Sequence, residues 1–285
     1  MEASLRLALS QALTDAGSTG EPARLAGHRL ELADGRSLFF KGLEGPPYDR
    51  CEKEAAGLAA LAAVGAIRGP RLVAPGRCGE LTFLILEQIS ATSPGHGFFE
   101  TFGRALAQHH RQSTGDRFGF DHDNYLGATP QPNGWCDDGC QFFCDHRLGF
   151  QLALARRRGL ADGELSTLGD RLLARLDDWL ELPDEPPCLI HGDLWSGNFL
   201  VAAGNQPVWI DPAAHWAHRE ADLAMARLFG GFSPRFFAAY EEAWPLQPGA
   251  AERNDLFQLY HLLNHLNLFG GSYREGCLAI LRRLV

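Results

Sequence analysis

Residues 191–198 read His-Gly-Asp-Leu-Trp-Ser-Gly-Asn, and no other stretch of this 285-residue chain constrains it as tightly. Asp193 stands five positions before Asn198, and Asp211 follows thirteen positions later, behind the apolar run Val208-Trp209-Ile210. Apolar runs also flank the octapeptide, Cys188-Leu189-Ile190 before it and Phe199-Leu200-Val201 after it. The polar stretch therefore reads as a loop bounded by strands. A carboxylate and an amide on one loop, with a second carboxylate at the end of the next strand, supply a proton acceptor beside oxygen ligands for a hard dication. The bland alternative is a pair of polar turns with capping Asp and Asn. A lone His-Gly-Asp would leave that alternative standing; the full spacing does not.

The rest of the chain has two characters. Leu5, Leu9 and Leu13 make a helical stripe near the start. Residues 28–32 and 37–42 alternate around Asp34-Gly35, which predicts a β-hairpin. Residues 51–65 predict a helix with Leu58 and Leu61 in register and Gly65 as its stop, and 81–89 a buried strand ending at Glu87-Gln88. The Ser/Pro/Gly connector 90–97 predicts a boundary between an N-terminal lobe, 1–89, and a C-terminal lobe, 90–285. Beyond it, helical patterns cover 98–112, about 138–157, about 163–181, 220–229, 234–243 and about 252–269, interrupted by loop-like islands at 118–135 and 188–213. The expected fold class is α+β, two-lobed and protein-kinase-like: a small antiparallel sheet carrying one helix, then a larger, mainly helical lobe.

Phosphoryl transfer needs the parts this sequence supplies. One carboxylate orients the nucleophilic hydroxyl and accepts its proton, while an amide oxygen and a second carboxylate hold Mg²⁺ on the phosphates. The Asp-x-x-x-x-Asn spacing and the later strand-end Asp match the catalytic loop and metal-binding arrangement of the protein-kinase fold. Asp193 is then the base, and Asn198 and Asp211 the Mg²⁺ ligands. Lys41 sits in a hairpin strand with Phe39 and Leu43 on its own face. It is the candidate to hold the ATP phosphates, paired to Glu54 rather than Glu52, because Leu58 and Leu61 adjoin Glu54 at helical spacing. Adenine should dock on backbone groups around Glu87, Gln88 and Ile89, and the turn Gly17–Gly20 could cover the phosphates. Gly192 stands where protein kinases carry an arginine, and Pro212 fixes the backbone after Asp211. Both features suit a constitutively assembled site acting on a small molecule.

Several classes are excluded. The chain has 26 Lys plus Arg against 35 Asp plus Glu, a net charge of −9, and no basic block, so nucleic acid is not an expected partner. No apolar run reaches the roughly 18 residues of a membrane span. Seven cysteines, an odd number, suit a reducing compartment, and the cytoplasm is the expected one. Cys136, Cys140 and Cys144 lack the second pair of a zinc knuckle and read as small residues on a partly buried helix. The pairs His109/His110 and His261/His265 read as ordinary helix histidines, the second lacking the Glu of a zinc-protease motif.

The stretches 118–133, 142–155, 190–198, 210–232 and 259–270, with His-Gly-Asp-Leu-Trp-Ser-Gly-Asn and Arg-Glu-Ala-Asp-Leu-Ala-Met (219–225) as the most specific, resemble the fructosamine kinase (ketosamine-3-kinase) family. The resemblance implies ATP-dependent phosphorylation of the C3 hydroxyl of a ketosamine, small or protein-bound, by a monomer or weak dimer. With an amine on C1 and a carbonyl at C2, enolisation toward C1 expels the 3-phosphate, and hydrolysis of the imine frees the amine. Another small-molecule kinase of the aminoglycoside- or choline-kinase-like group is the alternative. Asp222 either hydrogen-bonds the backbone of the catalytic loop or caps a helix. Asp123 and Asn124, in the island 118–135, either meet the substrate's amine and hydroxyls or cap their own turn.

Overall fold

A computed structural model describes residues 2–161, 163–180 and 185–285. The chain forms two compact units. One comprises the residues up to Phe98 together with Phe199–Asp211, the other Phe99–Asn198 together with Pro212–Val285.

The first unit opens with α1 (Ala3–Asp15), whose Leu9, Ala12 and Leu13 are buried. Then come β1 (Pro22–Ala26), β2 (Arg29–Leu32), β3 (Ser37–Glu44), α2 (Arg50–Val64), β4 (Leu72–Cys78) and β5 (Leu81–Glu87). The strands make one antiparallel sheet in the order β1-β2-β3-β5-β4. Period-two alternation sorts β3 and β5 between two cores. Leu38, Phe40, Phe83 and Ile85 pack with α1, while Phe39, Leu43, Leu84 and Leu86 pack with Cys51 and Leu58 of α2. Lys41 alternates with the second set, and its register partner is Leu84. Gly65, left-handed at φ 81°, ends α2.

Two strands of this unit went unforeseen. In β4 only Ala74 is buried, and Pro75-Gly76 interrupt the pattern. Gly76 is needed there because a Cβ would lie 2.2 Å from the Phe83 ring. Strand β1 meets β2 through the tight turn Gly27-His28, so Gly17–Gly20 lies ahead of the sheet, between α1 and β1.

The second unit runs through α3 (Phe98–Gln112), β6 (Asn124–Leu126), β7 (Thr129–Gln131), α4 (Gly139–Phe143), a π-helical turn Cys144–Leu148, α5 (Gly149–Arg157), α6 (Gly163–Leu173), α7 (Asp177–Leu180) and β8 (Cys188–Ile190). The single helices expected over 138–157 and 163–181 are thus each broken, and Glu181 lies outside the described residues. The hairpin β9 (Phe199–Ala202) and β10 (Gln206–Trp209) returns to the first unit, where the connector 90–97 lies on it. Thr92 N donates to Val201 O at 2.8 Å, and Gly95 N to Asn205 Oδ1 at 2.8 Å. The first unit therefore extends past residue 89 and takes in a segment from far along the chain. After it come β11 (His215–Ala217), paired with β8, then α8 (Glu220–Leu228), α9 (Pro234–Ala243), α10 (Ala250–Phe269) and α11 (Arg274–Leu284). The core gathers around α10, with Leu256, Leu259, Leu263 and Leu266 in one cluster with residues of α5, α8 and α11. No helix among the described residues is long and apolar enough to cross a membrane.

Helices α3 and α9 touch backbone to backbone. A Cβ on Gly103 would lie 2.2 Å from Phe236 O and 3.2 Å from Tyr240 N. Gly103→Ala should therefore cost about 2 kcal/mol or more, in the range of core overpacking. Thermal unfolding checks it, and an unchanged Tm would show that the helices part without penalty.

Candidate active site

Strand β8 is three residues long, pairs with β11 and makes a single bridge from Cys188 to Thr114, so little ladder fixes the loop after it. The fixing comes from Asp222. Its carboxylate is fully buried, Oδ2 accepting from His191 N and Oδ1 from Gly192 N, both at 2.8 Å. His110 Nε2 faces Oδ2 at 3.2 Å, and its other ring nitrogen meets the Tyr240 hydroxyl at 2.9 Å. Burial by itself would raise the Asp222 pKa. The hydrogen bond and charge of His110, then His191, outweigh it and bring it to about 2. Of the two roles the sequence left open, Asp222 takes the first: it lies in the first turn of α8, whose N-cap is Arg219. His110, read from sequence as an ordinary helix histidine, belongs to this support.

The glycine before Asp193 has a steric cause. Gly192 adopts φ 80°, and a Cβ there would lie 2.2 Å from Ala213 O. Ala213 N in turn donates to His191 O at 2.9 Å, tying the segment after Asp211 to the loop. Inside the loop, Asn198 Nδ2 donates to the Asp193 carboxylate and to Asp193 O, each at 2.9 Å. The amide nitrogen thus orients the carboxylate, and the amide oxygen, the atom a hard cation takes, is left out of that contact. Gly231, at φ 89°, lies against Ser196, where a Cβ would meet the serine side chain at 2.3 Å.

The first unit holds the other candidates. Lys41 Nζ lies 2.7 Å from Glu54 Oε2 and 2.8 Å from Asp211 Oδ1; Glu52 is exposed. Burial works against the ammonium, but the two carboxylates outweigh it and hold the Lys41 pKa above its ordinary value. Burial raises the pKa of Glu54, with Lys41 opposing and Asp211 reinforcing the shift. Asp211 stands at φ 55° immediately before Pro212. This left-handed conformation is uncommon for a residue with a side chain, and strain of this kind gathers at functional positions. Beyond Glu87 the β5 ladder stops, which leaves the backbone at Gln88 and Ile89 uncommitted to the sheet. The Glu87 side chain itself is taken by Arg68 at 3.1 Å and Arg71 N at 3.2 Å.

Comparison with known proteins places this arrangement. Residues 22–285 match the fructosamine kinase family. A "probable ketoamine kinase" of Synechocystis sp. is 38% identical over 277 residues, spanning 93% of this chain and 92% of its own length. A chloroplastic protein-ribulosamine 3-kinase of Oryza sativa subsp. japonica is 40% identical over 255 residues, 87% of this chain and 72% of its own. The crystal structure of a "putative fructosamine-3-kinase" from Thermobifida fusca superposes with a TM-score of 0.84 at 34% identity, covering 97% of this chain and 98% of that one. The chain belongs to the fructosamine kinase family. It is an ATP-using kinase of protein-kinase-like fold that acts on ketosamines.

In this fructosamine kinase family member the island 118–135 is only partly a loop, since β6 and β7 form a small hairpin within it. Asn124 is buried and its amide is engaged: Nδ2 donates to Ala214 O at 2.9 Å, and Oδ1 accepts from Gln131 at 2.7 Å and Asn133 at 2.9 Å. That side chain holds the hairpin, which narrows the substrate candidates to Asp123. Asp123 is exposed, with Oδ1 accepting from Asn133 N at 2.8 Å. Sequence reasoning missed Arg147, which is buried and joins Asn133, two residues past this hairpin (2.7 Å), to His215 (3.3 Å). Its only signal was an arginine inside an otherwise amphipathic helical stretch. Of the three spaced cysteines, Cys136 precedes α4, and Cys140 and Cys144 pack against the core.

Asp222 carries a pH signature. Its carboxyl is depressed from 3.8 to about 2, so its ionisation contributes stability above about pH 4 that is lost as pH falls through about 2. The shift corresponds to about 2 kcal/mol. Asp222→Asn, which can accept from only one of the two N–H groups well, should cost about 3 kcal/mol at neutral pH. It should also flatten the stability profile between pH 4 and pH 2 and lower kcat. Denaturant unfolding across that range is the check, and an unchanged acid limb would show that the brace is not there.

Proposed function

We propose that the chain transfers the γ-phosphoryl group of ATP, as its Mg²⁺ complex, to the 3-hydroxyl of a ketosamine. The observation that carries this reading is the contact of Asn198 with the Asp193 carboxylate, which pairs a proton acceptor with an oxygen ligand on one braced loop. The donor set suits Mg²⁺ rather than zinc. Among the described residues no three His, Cys, Asp or Glu side chains converge, and Mg²⁺ takes few protein oxygens and completes its shell with phosphates and water. Asn198 Oδ1 and the Asp211 carboxylate would hold it. When bound, the ion would neutralise charge on the phosphate oxygens.

Asp193 accepts the proton of the 3-hydroxyl at its carboxylate, kept in orientation by the Asn198 amide. Lys41, fixed by Glu54, holds the phosphates of ATP, and the backbone at Glu87–Ile89 takes the adenine. Asp123 receives the substrate's protonated amine. All seven cysteines are free thiols, which suits a reducing compartment, and we assign the chain to the cytoplasm. Free and protein-bound ketosamines share the reacting group, and both are substrates in this reading.

Asp193→Asn should lower kcat by roughly 10²- to 10⁴-fold while ATP binding is retained. In the same assay Asp211→Ala should weaken Mg·ATP binding, and Asn198→Ala should do so more mildly. Near-normal turnover in Asp193→Asn would remove the base from this carboxylate, and unchanged Mg²⁺ titrations in both other variants would move the metal elsewhere.

Asp123→Ala tests the substrate contact separately. The KM for a ribulosamine or fructosamine should rise while the KM for ATP stays put. A variant with lower Tm and intact kinetics would make Asp123 a hairpin cap and nothing more.

A further inference from the structure

Between α4 and α5 the chain makes the π-helical turn Cys144–Leu148, in which Gly149 N donates to Cys144 O, five residues back. Single wide turns of this kind inside helices collect at functional sites. Gly149 lets this one close, because a Cβ there would lie 2.5 Å from Cys144 O. An α-helix repeats its face after about 3.6 residues, so residues five apart fall on different sides. The wide turn brings them to one side. Phe142, Phe143, Arg147 and Leu148 are all buried, and the Arg147 guanidinium lies 4.5 Å from the centre of the Phe142 ring.

The guanidinium arrives between two elements of the site. On one side it donates to Asn133 Oδ1 at 2.7 Å and to Pro132 O at 2.6 Å. Asn133 N in turn donates to Asp123 Oδ1 at 2.8 Å, and its side-chain amide donates to His122 O at 3.1 Å and Asn124 Oδ1 at 2.9 Å. On the other side Arg147 Nε donates to His215 Nε2 at 3.3 Å, and His215 Nδ1 meets Ala213 O at 2.9 Å. Ala213 N then donates to His191 O at 2.9 Å, at the start of the loop that carries Asp193. The Tyr260 ring lies 5.7 Å from the same guanidinium. Burial pushes its phenol up to about 12, with Arg147 opposing the shift and the charge of Asp193 adding to it. All of these residues lie in the second unit, whereas Lys41, Glu54 and residues 87–89 lie in the first.

We propose that Arg147 is a positioning residue for the transfer: it fixes the spacing between the segment 122–133, which presents Asp123, and the loop that presents Asp193, and so sets where the 3-hydroxyl of the ketosamine lies. This rests on the roles proposed above for those two carboxylates.

Arg147→Lys keeps the charge and gives up the planar fork. Its kcat/KM for a ribulosamine or fructosamine should fall by roughly 10²-fold, the loss that a small misplacement of reacting groups brings, while the KM for ATP stays within about twofold of the parent's. A merely structural arginine would lower Tm and the active fraction and leave both KM values in place. Asp123→Ala added to Arg147→Lys should cost much less than the product of the two single losses, because both changes act through one segment. Hydrogen exchange of the full chain without ATP or ketosamine makes the comparison apart from any reaction. Arg147→Lys should speed exchange in 122–133 and in 190–198 and leave β3 and β5 as in the parent. If that variant does not fold, Asn133→Ala cuts the same tie from the other side and repeats both measurements. Unchanged exchange in either segment, equal rises in the two KM values, an unchanged kcat/KM, or losses that multiply would each overturn the positioning role. Exchange that moves as expected in a protein whose parent phosphorylates no ketosamine would overturn the proposed reaction, not the tie between the two segments.

Discussion

A single buried carboxylate sets the geometry on which the catalytic loop depends. Strand β8 is too short to anchor the loop by itself, and a loop with two successive N–H groups pointing inward would be costly without an acceptor. Asp222 accepts both. Burying that charge is itself unfavourable, so it requires its own support, supplied by His110, which Tyr240 orients in turn. The chain of support runs from α9 through α3 to α8 before it reaches the loop. The left-handed Gly192 and the abutting Ala213 carbonyl are consequences: with both N–H groups turned toward Asp222, the backbone turns tightly enough that no side chain fits.

The placing of Lys41 rests on a different device. Alternation along β3 assigns Phe39, Lys41 and Leu43 to the face covered by α2. An ammonium on that face is tolerated because Glu54 and Asp211 both reach it. Burial raises the pKa of Glu54, and the second carboxylate on the same lysine, Asp211, adds to the shift that Lys41 opposes. In the proposed reaction a cation on the phosphates of a bound nucleotide would compete for Asp211, so the Lys41–Asp211 contact is the one expected to yield and Lys41–Glu54 the one expected to persist.

The features legible in the sequence and those hidden from it divide along physical lines. The spacing of Asp193, Asn198 and Asp211 is local, and so is the helical register that favours Glu54 over Glu52; both can be read without a fold. Strand β4 was hidden because an edge strand with one buried residue and a Pro-Gly pair carries almost no alternation. The return of β9 and β10 to the first unit was hidden because contacts such as Asn205 with Gly95 span more than a hundred residues. Asn124 misled for a related reason. Polar residues in succession look solvent-facing, yet its amide is filled by Gln131, Asn133 and Ala214, none of which periodicity could place.

The buried arginines show how far side-chain identity is dictated by such nonlocal partners. Arg219 meets Glu185, and Arg253 meets Glu220 at 2.6 Å, so each charge enters the interior with its counter-charge. Arg147 does not. Its guanidinium donates to Pro132 O, His146 O, Asn133 Oδ1 and His215 Nε2 and lies over the rings of Phe142 and Tyr260. Burial depresses it to about 10, which still leaves it charged at neutral pH. A lysine, with one donor point instead of a planar fork, could not reach Asn133 and His215 together. His215 Nδ1 meets Ala213 O at 2.9 Å, and Ala213 N bonds His191 O. The hairpin that carries Asp123 and the loop that carries Asp193 are therefore joined through one guanidinium and one imidazole. That imidazole must be neutral, with its proton on Nδ1, because its other nitrogen accepts from the arginine. Burial first, and Arg147 second, keep it so.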